Sequence, residues 1–122
     1  MPDWSIKIVP ASKTQPAAFV PDLHGAKPGD PLQAQVDDIV TWNNTTDQPH
    51  WPWPTDSNFK PLPDSQVPRG SPNYLSDQIP AGSSSRPSYV VVAPATGTTI
   101  YYCCKLHQTM HGTITVSAVP TS

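Results

Sequence analysis

The sequence is short of charge, of long apolar runs and of cysteine, and these shortages exclude several classes of protein. Charged residues make up only 13% of the 122 residues, and the net charge is −2. A nucleic-acid binder or a polybasic membrane-surface protein needs a basic surface, so both classes are excluded. The longest apolar run, residues 89–93, is far below the about 20 residues of a transmembrane helix, so we expect no membrane span.

The only two cysteines, Cys103 and Cys104, are adjacent in the sequence. Neighbouring Cα atoms lie about 3.8 Å apart, which is below the usual range for a disulfide. We therefore expect no structural disulfide between them, and an adjacent pair could not cross-link distant parts of the chain in any case.

Proline is the residue in excess, at 17 positions. Because proline lacks a backbone N–H and breaks helix interiors, this excess argues against a helical protein. Nine of the prolines lie within residues 49–88, which we predict to be a long ordered loop with one short strand near residues 74–79. The apolar content of 36%, with four tryptophans, suffices for a modest core, and the length predicts a single domain over residues 1–122.

Apolar residues alternate with polar ones in short segments separated by turn-forming residues, which is the pattern of β-strands. The segment 38–43 is rich in β-branched and aromatic residues, ends at Asn43 and Asn44, and places Trp42 in the core. We expect segments 32–36 and 38–43 to pair with each other. Seven or so such strands predict an antiparallel β-sandwich; the segments are 4–9, 18–20, 32–36, 38–43, 89–93, 98–104 and 113–116.

A thiol, an imidazole and a thioether lie within seven residues, as Cys104-x2-His107-x2-Met110. Thiolate and imidazole bind copper strongly, and a thioether suits the cuprous state. A mononuclear site needs a second imidazole, for which the chain offers His24, His50 and His111. His50 is preferred, because it follows strand 38–43 and a turn, so a sandwich can bring it to the end where Cys104 lies.

These segments resemble the two ligand motifs of the cupredoxins, the small blue copper proteins of the plastocyanin, amicyanin and azurin group. The first motif is residues 38–44 followed by Pro49 and His50, and the second runs from Tyr102 through Cys104, His107 and Met110 to Gly112. The short spacing within the second motif is most similar to that of amicyanin.

The resemblance implies a Greek-key β-sandwich, with the Pro-rich loop inserted after the first histidine ligand. It also implies one copper ion per chain, held by His50, Cys104 and His107 as strong ligands and by Met110 as a weak axial ligand. Cys104 is preferred to Cys103 because it has the spacing of the family and because Tyr102 and Cys104 share one strand face. Cys103 is then expected to be a small buried residue.

The expected function is one-electron transfer by Cu(I)/Cu(II) cycling, without enzyme activity. Electrons would pass through the His107 imidazole, within an apolar patch that includes Pro49, Leu106 and Trp51 and extends to Trp53, where redox partners dock transiently. The alternative is a copper carrier or storage protein that binds Cu(I) with the same ligands and Cys103. A fragment of a larger copper oxidase is disfavoured, because only one complete ligand set and no His-x-His pair occur.

Further expectations complete the prediction. The residues from Met1 to Trp4 do not resemble a signal peptide, which leaves a mature exported domain and an intracellular protein both open. The resemblance to the cupredoxins implies a monomer in the periplasm or outside the cell, with its leader removed. The run Trp51-Pro52-Trp53-Pro54 departs from the family pattern and either covers the metal or closes the sandwich. The Trp51 backbone N–H could still hydrogen-bond the Cys104 thiolate, whereas Pro52 has no N–H to give. His24 and His111 are expected to face solvent.

Overall fold

The protein is a sandwich of two four-stranded sheets. The computed structural model describes residues 3–11, 13, 16–86, 88–93 and 98–117. The first sheet has the order β2-β1-β4-β6 and the second the order β3-β8-β7-β5. The strands are β1 (Asp3–Val9), β2 (Ala18–Pro21), β3 (Leu32–Gln35), β4 (Ile39–Asn44), β5 (Pro52–Pro54), β6 (Tyr89–Val90), β7 (Thr99–Cys104) and β8 (His107–Ser117).

The predicted all-β sandwich is confirmed, although its sheets are mixed: β1 pairs with β4 and β3 with β8 in parallel, while the other pairs are antiparallel. Within the described ranges, one 3-10 turn at Asp64–Gln66 is the only helix. No described helix has the length and apolarity to cross a lipid bilayer.

The core lies between the sheets, where alternate residues of β1, β3 and β4 are buried. Trp42 is fully buried, as predicted, and its ring meets that of Tyr102 edge-on at 5.4 Å between centroids. Tyr102 in turn packs on Gly112, where an added Cβ would lie 2.3 Å from the Tyr102 Cζ. Gly112 is therefore required by the packing of the opposite strand.

The expected pairing of segments 32–36 and 38–43 is wrong, because β3 and β4 belong to different sheets. The chain turns between them through Asp37, whose φ of 77° lies in the left-handed region that glycine favours. The Asp37 N–H donates to the Val91 carbonyl, and the Val91 N–H donates to the Asp38 carbonyl. These two bonds hold the turn against the segment that follows β6.

Three further strand predictions need correction, and one strand, β5, was missed. The strand expected over residues 113–116 extends over His107–Ser117. Residues 74–79 contain no strand, only an isolated bridge from Ile79 to His50. The strand expected over residues 89–93 is confined to Tyr89–Val90. The strand β5 was not predicted, because Pro52 and Pro54 lack N–H groups; β5 is an edge strand, where a proline nitrogen can face away from the ladder.

The long segment after β5, residues 55–86, packs against the sandwich and buries Val67, Leu75 and Ile79. The indole N–H of Trp53 donates to the Leu62 carbonyl at 2.8 Å, and that of Trp51 donates to the Ser76 carbonyl at 2.7 Å. The prediction of an ordered loop is thus confirmed.

Candidate metal centre

Two chain segments place polar and sulfur-bearing side chains at the same end of the sandwich. One leaves β4 at Asn44 and reaches His50 after a short turn, and the other is the hairpin of β7 and β8, with Cys104 opposite His107. The register shifts between Cys103 and Cys104. Irregularities of this kind redirect side chains near functional sites.

The side chains of His50, Cys104 and His107 converge. The Cys104 Sγ lies 3.6 Å from the Nδ1 of His50 and 3.5 Å from the Nδ1 of His107, and all three donor atoms lie within 4.8 Å of one another. Bonds of about 2.0 Å to nitrogen and about 2.3 Å to sulfur, as zinc forms, separate neighbouring donors by roughly 3.5 Å at tetrahedral angles. The three side chains can therefore bind one metal ion with little movement.

The two imidazoles lie in different surroundings. His50 is 2% exposed, whereas His107 is exposed, and their ring centroids lie 5.0 Å apart. Burial lowers the pKa of His50, and the charge of His107 lowers it further. This shift favours the neutral imidazole, which is the form that binds metal ions.

The backbone N–H of Trp51 points at the thiol of Cys104, with 3.4 Å between N and Sγ. This bond confirms the interaction expected from the sequence. A hydrogen bond to a metal-binding sulfur withdraws charge from it and tunes the site.

Met110 is 5% exposed and lines, together with His50 and His107, an open cavity of about 600 Å³. The same cavity is bordered by the β4–His50 turn and by residues between β1 and β2; among these are Pro10, Pro16, Thr45, Thr46 and Gln48. Met110 thus borders the same cavity as the two imidazoles.

Cys103 is fully buried, but it takes a different position from Cys104. Tyr102 and Cys104 belong to the core cluster between the sheets, whereas Cys103 lies opposite Trp53 of β5 and is buried outside that cluster. Burial, followed by the influence of Cys104, raises the pKa of the Cys103 thiol to about 11. These observations match the expectation of a small buried residue.

His24 and His111 are both exposed, as expected, and neither joins the donor cluster found among the described residues. The His111 ring stacks on Phe59, with centroids 4.1 Å apart and planes 4° from parallel.

The segment Trp51–Pro54 closes the sandwich and does not line the cavity beside the site. Trp53 is only 3% exposed, so its predicted place in a surface patch around His107 is wrong. Its ring packs against Trp51 and Tyr74, and the Lys105 ammonium lies 3.8 Å from its centroid. The tryptophans therefore hold residues 55–86 to the hairpin that carries Cys104.

Sequence reasoning missed two residues that support the backbone of His50, one directly and one through the other. Asn44 was interpreted only as a turn former, and Ile79, which pairs with His50 through both backbone groups, was assigned to an unrelated strand. The spacing of Asn44 and Thr46 is typical of a side-chain-stabilised turn and could have drawn attention to Asn44. Nothing local in the sequence indicates Ile79.

Comparison with known proteins finds similarity in structure. No protein-family model and no curated protein sequence matches it. A purple cupredoxin from Nitrosopumilus maritimus has a TM-score of 0.60 at 22% identity, covering 93% of this chain and 98% of its own. Oxidised plastocyanin from Dryopteris crassirhizoma has a TM-score of 0.56 at 14% identity, with 93% and 99% covered. The resemblance predicted from the sequence is thereby confirmed at the level of the fold: this chain has the fold of the cupredoxins.

Proposed function

We propose that the protein is a one-electron carrier with a mononuclear copper site formed by His50, Cys104 and His107, and with Met110 as the weak fourth ligand. The observation that carries the proposal is the convergence of one thiol and two imidazoles within 4.8 Å. Two histidines, one cysteine and a distant methionine are the donor set of blue-copper electron-transfer sites. Bound there, copper would supply a one-electron couple.

The scaffold around the donors supports electron transfer because it restricts their movement. His50 is fixed through its backbone to Ile79, and Cys104, the last residue of β7, is flanked by Pro52 of β5 on one side and by His107 of β8 on the other. The Trp51 backbone N–H, in addition, donates a hydrogen bond to the Cys104 sulfur. Donors held in this way change position little when the charge at the centre changes.

The exposure of His107 supports it as the route by which electrons pass. His107 is exposed, as are Pro49 and Leu106, and Leu106 is 44% exposed. A small contact around this imidazole suits the weak and brief complexes of redox proteins. Transient redox proteins are therefore the proposed partners.

The position of Cys103 disfavours the alternative of a copper carrier that uses both thiols. Its side chain is fully buried against β5, while Cys104 faces the core and the two histidines. Adjacent residues of a strand point to opposite faces, so both sulfurs reach one ion only if the hairpin rearranges. The proposal accordingly assigns no metal-binding role to Cys103.

The remaining parts of the proposal concern the whole protein. We assign it as a single-domain monomer without enzyme activity, located in the periplasm or outside the cell. A thiolate that is occupied by copper suits such an oxidising compartment.

Stoichiometric addition of Cu(II) to the metal-free protein tests the proposal. We expect one copper per chain and an intense visible thiolate-to-copper band that disappears on addition of one electron and returns on oxidation. A colourless product in which copper is reduced and both thiols are consumed would contradict electron transfer.

A further inference from the structure

Asn44 is the last residue of β4 and carries a buried side-chain amide that is 2% exposed. Its Nδ2 carries two hydrogens and lies within hydrogen-bond distance of three carbonyls, those of Gln48 at 2.8 Å, Ile79 at 3.2 Å and Pro80 at 3.2 Å, so that two of these carbonyls share one hydrogen. Its Oδ1 accepts from the N–H of Thr46 at 3.0 Å and from the Thr46 hydroxyl at 2.7 Å. One side chain therefore joins the turn before His50 to a distant part of the chain.

Ile79 is the point where this network meets His50. The His50 N–H donates to the Ile79 carbonyl at 3.1 Å, and the Ile79 N–H donates to the His50 carbonyl at 2.8 Å. The same Ile79 carbonyl also accepts the hydrogen bond from Asn44. His50 belongs to no regular strand, so this isolated bridge is its principal backbone anchor.

We propose that Asn44 is a positioning residue, whose amide holds the chain at residues 79–80 in the place that fixes the His50 imidazole beside Cys104. This inference rests on the proposed copper site and adds to it the residue that determines where one ligand lies. Without the amide, the carbonyls of Ile79 and Pro80 keep only their backbone donors, the N–H groups of His50 and Ser83, and residues 79–80 are no longer tied to the end of β4. The backbone of His50 follows Ile79, and the imidazole loses its fixed distance from the Cys104 sulfur.

The substitution Asn44→Asp removes the donor while keeping the size of the side chain and the oxygen that accepts from Thr46. The matched control is Asn43→Asp, one residue earlier, where, among the residues that the structure describes, the side chain accepts one exposed bond from the hydroxyl of Ser84. Groups that orient metal ligands typically contribute 10–100-fold to metal affinity. We expect Cu(I) affinity, measured by competition with a chelator, to fall by about that factor in Asn44→Asp and to stay unchanged in Asn43→Asp.

A second measurement uses the metal-free protein, so that it does not depend on copper. The His50 amide should exchange its hydrogen faster in Asn44→Asp than in the wild type, because the Ile79 carbonyl is no longer fixed. A purely structural role would lower the unfolding temperature and leave both the Cu(I) affinity and the His50 amide exchange at wild-type values. That result would overturn the proposal.

The variants also separate this inference from the proposed function. If the wild type binds no copper through Cys104, the proposed function fails, while the amide exchange still tests the positioning role. If Asn44→Asp does not fold, Asn44→Ala, which removes the donor without adding a charge, replaces it in both measurements. Equal Cu(I) affinity and equal His50 exchange in Asn44→Ala and wild type would then overturn the role of Asn44.

Discussion

The two histidines of the candidate site are held in opposite ways. His50 is 2% exposed and is fixed through its backbone to Ile79, far along the chain, and through Ile79 to the side chain of Asn44. His107 is exposed and stands directly after the two-residue turn that follows Cys104. One ligand thus depends on the tertiary fold, and the other depends on a single hairpin.

In the proposed electron-transfer site, this difference would separate two tasks. The buried histidine maintains the geometry, because its surroundings exclude water and restrict its backbone. The exposed histidine provides contact with the surface, because its ring lies beside the open cavity and the exposed Leu106. The Cys104 sulfur lies between them, 3.6 Å from one ring nitrogen and 3.5 Å from the other.

Removing the Cys104 sulfur, which lies between the two histidines, should have the largest effect on copper binding. In Cys104→Ser, we expect complete loss of the visible thiolate-to-copper band, because a hydroxyl is a poor ligand for copper. Cys103→Ser is the matched control and should keep the band, since its side chain lies on the other face of β7. Absorption spectra of the two copper-loaded variants measure this, and retention of the band only in Cys104→Ser would reverse the ligand assignment.

The two histidines should differ in chemical rescue. His107→Gly leaves a gap that is open to solvent, so added imidazole should restore the visible band. His50→Gly leaves a gap in the interior, where the 2% exposure of the native side chain predicts little or no rescue. Titration of both copper-loaded variants with imidazole tests the comparison directly, and equal rescue would show that the two positions are equally accessible.

The sequence predicted the hairpin part of this site better than the His50 part, for a physical reason. Cys104, His107 and Met110 are close in the sequence, so their spacing alone limits their geometry. The anchoring of His50 depends on Ile79, which follows a long Pro-rich segment whose path no local pattern determines. Metal ligands that are close together in the sequence can be predicted from their spacing. Residues that support a ligand from a distant part of the chain can be identified only from the folded structure.

The strands follow the same rule. Segments with clear alternation, such as those of β1 and β4, were predicted to within one residue at each end. The separation of β3 from β4 depends on Asp37, whose positive φ is unusual for a residue other than glycine. The two-residue strand β6 is short because the backbone of Val91 bonds to the turn at Asp37 and Asp38 instead.

A larger side chain at Gly112 should destabilise the hairpin of β7 and β8 and leave the backbone contacts of His50 unchanged. In Gly112→Ala, the new Cβ would lie 2.3 Å from the Cζ and 2.4 Å from the hydroxyl oxygen of Tyr102. Because such a contact forces the strands apart, we expect the free energy of unfolding to fall by about 1–3 kcal/mol. Denaturant unfolding of the metal-free protein measures it, with Tyr102→Leu in the Gly112→Ala background expected to relieve the clash. An unchanged midpoint for Gly112→Ala would contradict the close packing.

The smallest expected effect lies at the other end of β4 from the site, where Asp38 accepts hydrogen bonds from the Trp4 indole at 2.8 Å and from the Gln35 N–H at 2.9 Å. The bond from Trp4, followed by that from Gln35, lowers the pKa of Asp38 below its ordinary value of 3.8. The unfolded chain therefore binds the proton more readily, so this stabilisation is present above pH 3.8 and is lost as the pH falls through the lowered pKa. Unfolding of wild type and Asp38→Asn as a function of pH should show a stability difference that shrinks in acid. A difference that is independent of pH would contradict this role of the carboxylate.

X-ray absorption at the copper edge of the loaded protein tests the central claim most directly, because it counts the atoms bound to the metal. We predict one short copper–sulfur bond and two copper–nitrogen bonds from imidazoles, in agreement with the convergence of His50, Cys104 and His107. Two short copper–sulfur bonds would show that Cys103 joins Cys104 at the metal, and the absence of any short sulfur bond would show that Cys104 is not a ligand. Either result would contradict the site described here.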